Sequence, residues 1–93
     1  MFVLHVDIRI RAGQAGAFES VFSGPFCAAI RAQEGFRDVQ LLRPLGGGDY
    51  VLSIAFEQRS LQQKWVATDL HERVWTQMAE HIDAYALKPY TAV

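Results

Sequence analysis

With only one cysteine among its 93 residues, Cys27, the chain cannot form an internal disulfide framework and matches no multi-cysteine zinc pattern. Cys27 lies in an apolar, helix-like stretch, where a reduced and buried thiol is ordinary, and this fits a cytoplasmic protein. Charge of one sign is also lacking: nine Lys and Arg stand against ten Asp and Glu, scattered singly. Neither a phosphate backbone nor an acidic membrane surface would find an electrostatic footprint, so no nucleic-acid or membrane partner is expected. No apolar run approaches the roughly 20 residues that span a bilayer, and the first residues, Met1 to Asp7, read as a strand with charge inside it rather than a signal peptide. His5, His71 and His81 share no ligand spacing with one another or with Cys27, so no metal is expected.

What is present is apolar side-chain volume: 51% of the residues are hydrophobic and 12% aromatic, enough to close one core, and the length suits a single domain over residues 1–93. Phe2, Leu4, Val6, Ile8 and Ile10 alternate with Val3, His5, Asp7 and Arg9, the period of a half-buried strand. Phe18, Val21, Phe22, Phe26, Ala29 and Ile30 then recur at spacings of three and four, a helical stripe that Gly24-Pro25 should kink. Gly35 stands in the helix-stop position. Phe36 to Leu45 and Tyr50 to Glu57 read as an antiparallel hairpin around the Gly46-Gly47-Gly48-Asp49 turn. Ser60-Leu61-Gln62-Gln63 has the form of a capping box opening a short helix with Trp65, and Asp69-Leu70-His71-Glu72 repeats the device for a helix carrying His71, Trp75 and Met78. Asp83 to Tyr90 reads as a last strand, with Pro89 tolerated near its end.

The order is β, α, β, β, α, β: an α+β domain with a four-stranded antiparallel sheet of ferredoxin-like pattern and helices on one face. The other face, with Val3, His5, Asp7, Val51, Ser53 and Ala55, is left without a lid. At ~25 cal/mol per Å² its burial is worth several kcal/mol, so pairing with a second copy in a two-fold homodimer is the expected solution.

The stretches His5-Val6-Asp7-Ile8-Arg9-Ile10-Arg11-Ala12-Gly13, Ala17-Phe18, Arg31-Ala32-Gln33-Glu34-Gly35-Phe36 and Tyr50-Val51-Leu52-Ser53-Ile54-Ala55-Phe56-Glu57 together resemble the antibiotic biosynthesis monooxygenase family over nearly the whole chain. That resemblance implies a dimeric α+β barrel. For activity it implies oxygenation of a small aromatic or polyketide-like ligand by O₂ with no cofactor. A non-catalytic ligand-binding or accessory dimer of the same fold is the alternative. Many relatives carry a tryptophan where this chain has Phe56, so the aromatic wall is only approximated. The haem-degrading branch relies on a strand asparagine, a helix tryptophan and a histidine about ten residues later. This chain has no asparagine, Trp75 stands ten residues after Trp65, and the nearest histidine is His71, so haem chemistry is disfavoured.

Cofactor-free oxygenation needs an aromatic-lined dry pocket, a base near neutrality and donors for the substrate anion. His71 and Trp75 lie one helical turn apart and project together, so His71 is the candidate catalytic base, with Trp65 and Trp75 as substrate-binding walls. Phe22 and Phe56 are further candidate wall residues, and Arg73 a candidate anion holder. His5 and Asp7, two apart on one strand, form a candidate acid–base pair. Against each stands an ordinary structural role: core packing for the aromatics, a helix-terminal hydrogen bond for His71, a solvated helix face for Arg73, and a dimer contact for His5 and Asp7. His81 is better explained by the negative end of a helix than by catalysis.

Overall fold

The computed structural model describes every residue, Met1–Val93. Strand β1 (Phe2–Ile10) is the centre of the sheet. It pairs antiparallel on one side with β3 (Tyr50–Phe56) and on the other with β4 (Ile82–Thr91). Strand β2 (Phe36–Leu42) forms the hairpin with β3, and the order across the sheet is β2-β3-β1-β4. Register decides what each face carries, because residues directly opposite share a face. Val6 stands opposite Leu52 and Leu87, Leu4 opposite Ile54, and Ile8 opposite Tyr50 and Tyr85, which makes the helix-facing side. Val3 opposite Ala55, His5 opposite Ser53 and Asp7 opposite Val51 make the uncovered side, as the alternation requires.

The helical layer begins with α1 (Ala15–Val21), passes through a π-helical turn at Phe22–Phe26, and continues as α2 (Cys27–Arg31). The π turn is the expected irregularity at Gly24-Pro25. Pro25 has no N–H to donate into the regular ladder, and the chain widens one turn instead of breaking. Helices α3 (Arg59–Val66) and α4 (Asp69–Ala79) follow the hairpin. Sixteen buried residues form the core between these layers; Ile8, Phe18, Ile30, Phe56 and Met78 are sealed completely. Helix α2 ends at Arg31 with Ala32 as its cap, so Gly35 is not the helix stop; it follows in the turn into β2 at φ +79, where a Cβ would run into the Leu61 side chain of α3. No helix is long and apolar enough to cross a membrane.

Three local expectations are corrected. β2 ends at Leu42 rather than Leu45, because Pro44 cannot donate to the ladder and Leu45 points wholly outward. Ser60 does not cap α3: the helix starts two residues earlier than such a cap requires, at Arg59, with extended Gln58 in the cap position and no side-chain cap bond, so Ser60 lies inside the first turn. Asp69 does not cap α4 either. Thr68 does, its Oγ1 accepting from the His71 N–H at 3.1 Å and donating to the Trp65 carbonyl at 2.7 Å. One hydroxyl thereby ends α3 and begins α4, which fixes the sharp turn between them.

Candidate functional site

That turn builds the site. The Thr68 hydroxyl joins the last turn of α3 to the first turn of α4, so Trp65 and His71 are held together from adjacent helix ends. On α4, Val74 and Met78 point into the core while the row His71–Trp75 leans toward the β4 side. Beneath this row is a cavity of about 190 Å³. Its floor is Leu4, Val6, Leu52 and Ile54 from the sheet, and Phe26, the last residue of the π turn, lines it from the helical layer. Its mouth lies at Tyr85 and Leu87 of the edge strand, which the helices leave 53% and 58% exposed.

Aromatic rings make a continuous wall. Phe26 meets Trp65 edge-on at 6.3 Å between centroids, Trp65 meets His71 edge-on at 5.0 Å, His71 lies nearly parallel to Trp75 at 6.4 Å, and Trp75 meets Tyr85 edge-on at 5.2 Å. No Asp, Glu, Lys or Arg lines the cavity; its polar side chains are His71, Gln62 and Tyr85. Burial pushes the His71 imidazole below the ordinary 6.5, with the neighbouring Glu72 charge opposing. His71 Nδ1 is the one buried side-chain polar atom in the molecule without a hydrogen-bond partner. Nε2 also lacks a protein partner but is not sealed.

A second polar cluster lies on the other limb of the helical layer. Glu19 of α1 accepts from Arg43 Nε at 2.8 Å, from a second Arg43 nitrogen, and from Tyr50 Oη at 2.5 Å. These bonds, Arg43 first and Tyr50 second, hold the Glu19 carboxyl at about 2 against an ordinary 4.5, and the Tyr50 phenol is pushed up by the same carboxylate. Phe22 borders the open groove beside this cluster, not the cavity.

Trp65, His71 and Trp75 are thus brought together. Phe56 is sealed in the core against Phe36, with centroids 6.1 Å apart, and does not line the cavity. Arg73 is exposed on the outer side of α4, away from the cavity lining. His5 and Asp7 sit on the uncovered sheet face and do not pair with each other: His5 packs edge-on against Tyr90 at 5.1 Å, and Asp7 bonds Lys88 Nζ at 2.7 Å. His81 Nδ1 lies 2.8 Å from Gln14 Oε1 and ties the start of β4 to the entry of α1. No three His, Cys, Asp or Glu side chains gather into a cluster suited to a metal ion. Phe26, Gln62, Tyr85 and Leu87 were missed from sequence. For Tyr85 and Leu87 the signal was available in their shared parity on the last strand.

No protein of curated function matches the chain. Among solved structures, SnoaB, a cofactor-independent oxygenase from Streptomyces nogalater, superposes with a TM-score of 0.82 at 22% identity, covering 99% of this chain and 93% of that one. Rv0793 from Mycobacterium tuberculosis gives 0.82 at 16% identity, covering 99% and 94%. A variant of MhuD with two manganese protoporphyrin IX molecules per active site gives 0.78 at 21% identity, covering 100% and 95%. At these identities the likeness is one of fold. Residues 1–83 match the family described as antibiotic biosynthesis monooxygenase, and the chain belongs to that family.

Proposed function

We propose that this protein is a cofactor-independent oxygenase of a one-ring or fused two-ring phenolic compound, bound in the cavity between Trp65, His71 and Trp75. The observation that carries the reading is a lone imidazole set between two indoles in a cavity with no charged lining. Size argues for a small substrate. An apolar cavity of about 150 Å³ takes one benzene ring, and drug-sized ligands occupy roughly 300 Å³ or more. At about 190 Å³ this one suits one or two rings.

The chemistry balances without a bound redox group. A phenol such as 1-naphthol loses its hydroxyl proton, and the electron-rich anion passes an electron to O₂. The resulting radical and superoxide combine at the para carbon, and the peroxide, once protonated, loses water to leave a quinone. The substrate supplies all four electrons, and 1-naphthol plus O₂ gives 1,4-naphthoquinone plus water. The protein contributes a dry, flat slot and a polar contact at the oxygen where charge develops. SnoaB, described as a cofactor-independent oxygenase, lends support from the same fold. The porphyrin seen with MhuD does not suit this cavity: about 190 Å³ is small for a tetrapyrrole, and the only imidazole is packed between two indoles.

A homodimer is part of the proposal, supported by the uncovered sheet face, where Val3, Val51 and Ala55 lie among polar neighbours. Sedimentation at micromolar concentration is expected to give twice the chain mass. Oxygen uptake with 1-naphthol under ¹⁸O₂ should place one labelled atom in the quinone. Its absence with 1-naphthol and with one-ring phenols unsubstituted at the para carbon would leave the ligand-binding alternative, which ordinary binding to the same cavity would then establish.

A further inference from the structure

We infer that His71 meets its ligand as a neutral hydrogen-bond donor through Nε2–H, and not as the base: the site takes a ligand oxygen that accepts, a carbonyl or a phenolate. This deepens the reading above and rests on it only for the identity of the ligand.

The surroundings of the two ring nitrogens decide where the protons sit. Nδ1 is sealed and has no partner. In the imidazolium, Nδ1 carries an N–H with no acceptor, and the charge sits in a cavity without a carboxylate in its lining. In the neutral Nδ1–H tautomer the same buried donor is left unmet. Only the Nε2–H tautomer places its N–H where something can reach it, leaving at Nδ1 a bare lone pair, the better tolerated kind of unmet group. Position in the helix adds to this. His71 is the third residue of the 11-residue helix α4, where the unpaired N–H groups and the dipole make the surroundings positive. A lone pair is favoured there over an N–H, and a neutral ring over a cation. Glu72, and Asp69 in the same turn, are the charges that oppose this.

A base acting through Nε2 would have to start from the Nδ1–H tautomer and finish as the imidazolium, the two forms the surroundings disfavour. A donor needs neither. By holding the forming oxyanion, Nε2–H lowers the acidity barrier of the ligand itself, and the proton leaves to water at the mouth beside Tyr85 and Leu87. Trp65 and Trp75 hold the ring plane while His71 selects the oxygen.

The test uses the wild-type protein with ¹⁵N-labelled histidine. Long-range ¹H–¹⁵N correlation at neutral pH is expected to show the His71 spin system, identified by its loss in His71→Phe, with a protonated Nε2 and a bare Nδ1. The bicyclic ketone α-tetralone, which only accepts, is then compared with the hydrocarbon 1,2-dihydronaphthalene by calorimetry. The preference for the ketone should fall about tenfold in His71→Phe. A protonated Nδ1 in the free protein, or a ketone preference unchanged by the substitution, overturns the inference. Because neither readout needs turnover, its failure is separable from that of the oxygenase reading. A protein that binds tetralone through His71 yet consumes no O₂ sinks only the latter, and active oxygenation with a protonated Nδ1 sinks only the former.

Discussion

The Glu19 cluster and His71 lie on opposite limbs of the helical layer, and the fold treats them in opposite ways. Glu19 is reached by three donors from β3 and the hairpin, all of its partners are inside the molecule, and its ionised form is strongly favoured. His71 has no side-chain partner for either ring nitrogen, sits among indoles, and has its charged form disfavoured. The Glu19 carboxylate finds its partners within the chain; the network fastens α1 to the hairpin and specifies how they meet. An unsatisfied group costs stability, and the protein keeps it where a cavity opens. Completeness of hydrogen bonding, more than the presence of titratable residues, separates staple from site here.

Turnover should separate the two regions by the largest margin. His71→Phe keeps an aromatic ring between the two indoles but removes the only imidazole, and oxygen uptake with 1-naphthol should fall by ~10²-fold or more, the usual loss for a donor to a developing oxyanion. Tyr50→Phe removes a donor from the Glu19 cluster and should leave the rate within about twofold. Equal losses in both variants would mean that the two regions do not differ in the way their hydrogen bonding suggests.

Much of this was legible in the sequence, for reasons that mark where the rest was not. The strands alternate because one face is buried, so Phe2 through Ile10 and Tyr50 through Phe56 announce their sidedness. Trp65, His71 and Trp75 were legible as a group because a one-turn spacing and a two-residue connection leave little freedom. Phe22 was not: it opens the π turn and borders the groove, whereas Phe26 at the end of that turn lines the cavity. The Glu19, Arg43 and Tyr50 cluster joins residues 24 and 31 positions apart, and three scattered polar residues carry no local pattern. The Thr68 cap was hidden because Thr68 and Asp69 are both good capping residues one position apart, and only the helix geometry chooses. Tyr85 and Leu87 read as an ordinary edge strand until the register with Ile8 and Val6 put them at the cavity mouth.

Stability should separate the two regions by a smaller margin and in the opposite order. In chemical denaturation Tyr50→Phe should cost ~1–3 kcal/mol, because the Tyr50 hydroxyl donates to a charged carboxylate from a largely buried ring. His71→Phe should cost nothing or stabilise by up to ~1 kcal/mol, since it removes an unmet buried nitrogen and replaces it with an apolar ring of similar shape. If His71→Phe proved the more destabilising of the two, the imidazole would have a structural partner and its assignment to the site would lose its footing.

The smallest effect is the dependence of stability on pH, and its sign distinguishes the two groups without any ligand. The Glu19 carboxyl is depressed to about 2 from 4.5, so the unfolded chain takes up its proton first, and the stability Glu19 contributes is complete above about pH 5 and lost as pH falls through about 2. The His71 imidazole is also depressed, from 6.5, but here the native state is the one that refuses the proton. Wild-type stability should therefore fall as the pH drops below 6.5, and level off once the folded imidazole itself is protonated. Between pH 7 and pH 5 the Glu19 cluster is silent. In that window the wild-type protein should lose stability relative to His71→Phe, while Tyr50→Phe tracks the wild type. Parallel curves for wild type and His71→Phe across that interval would mean that His71 accepts its proton in the folded state as readily as in water, and the sealed Nδ1 on which its donor role depends would not exist in solution.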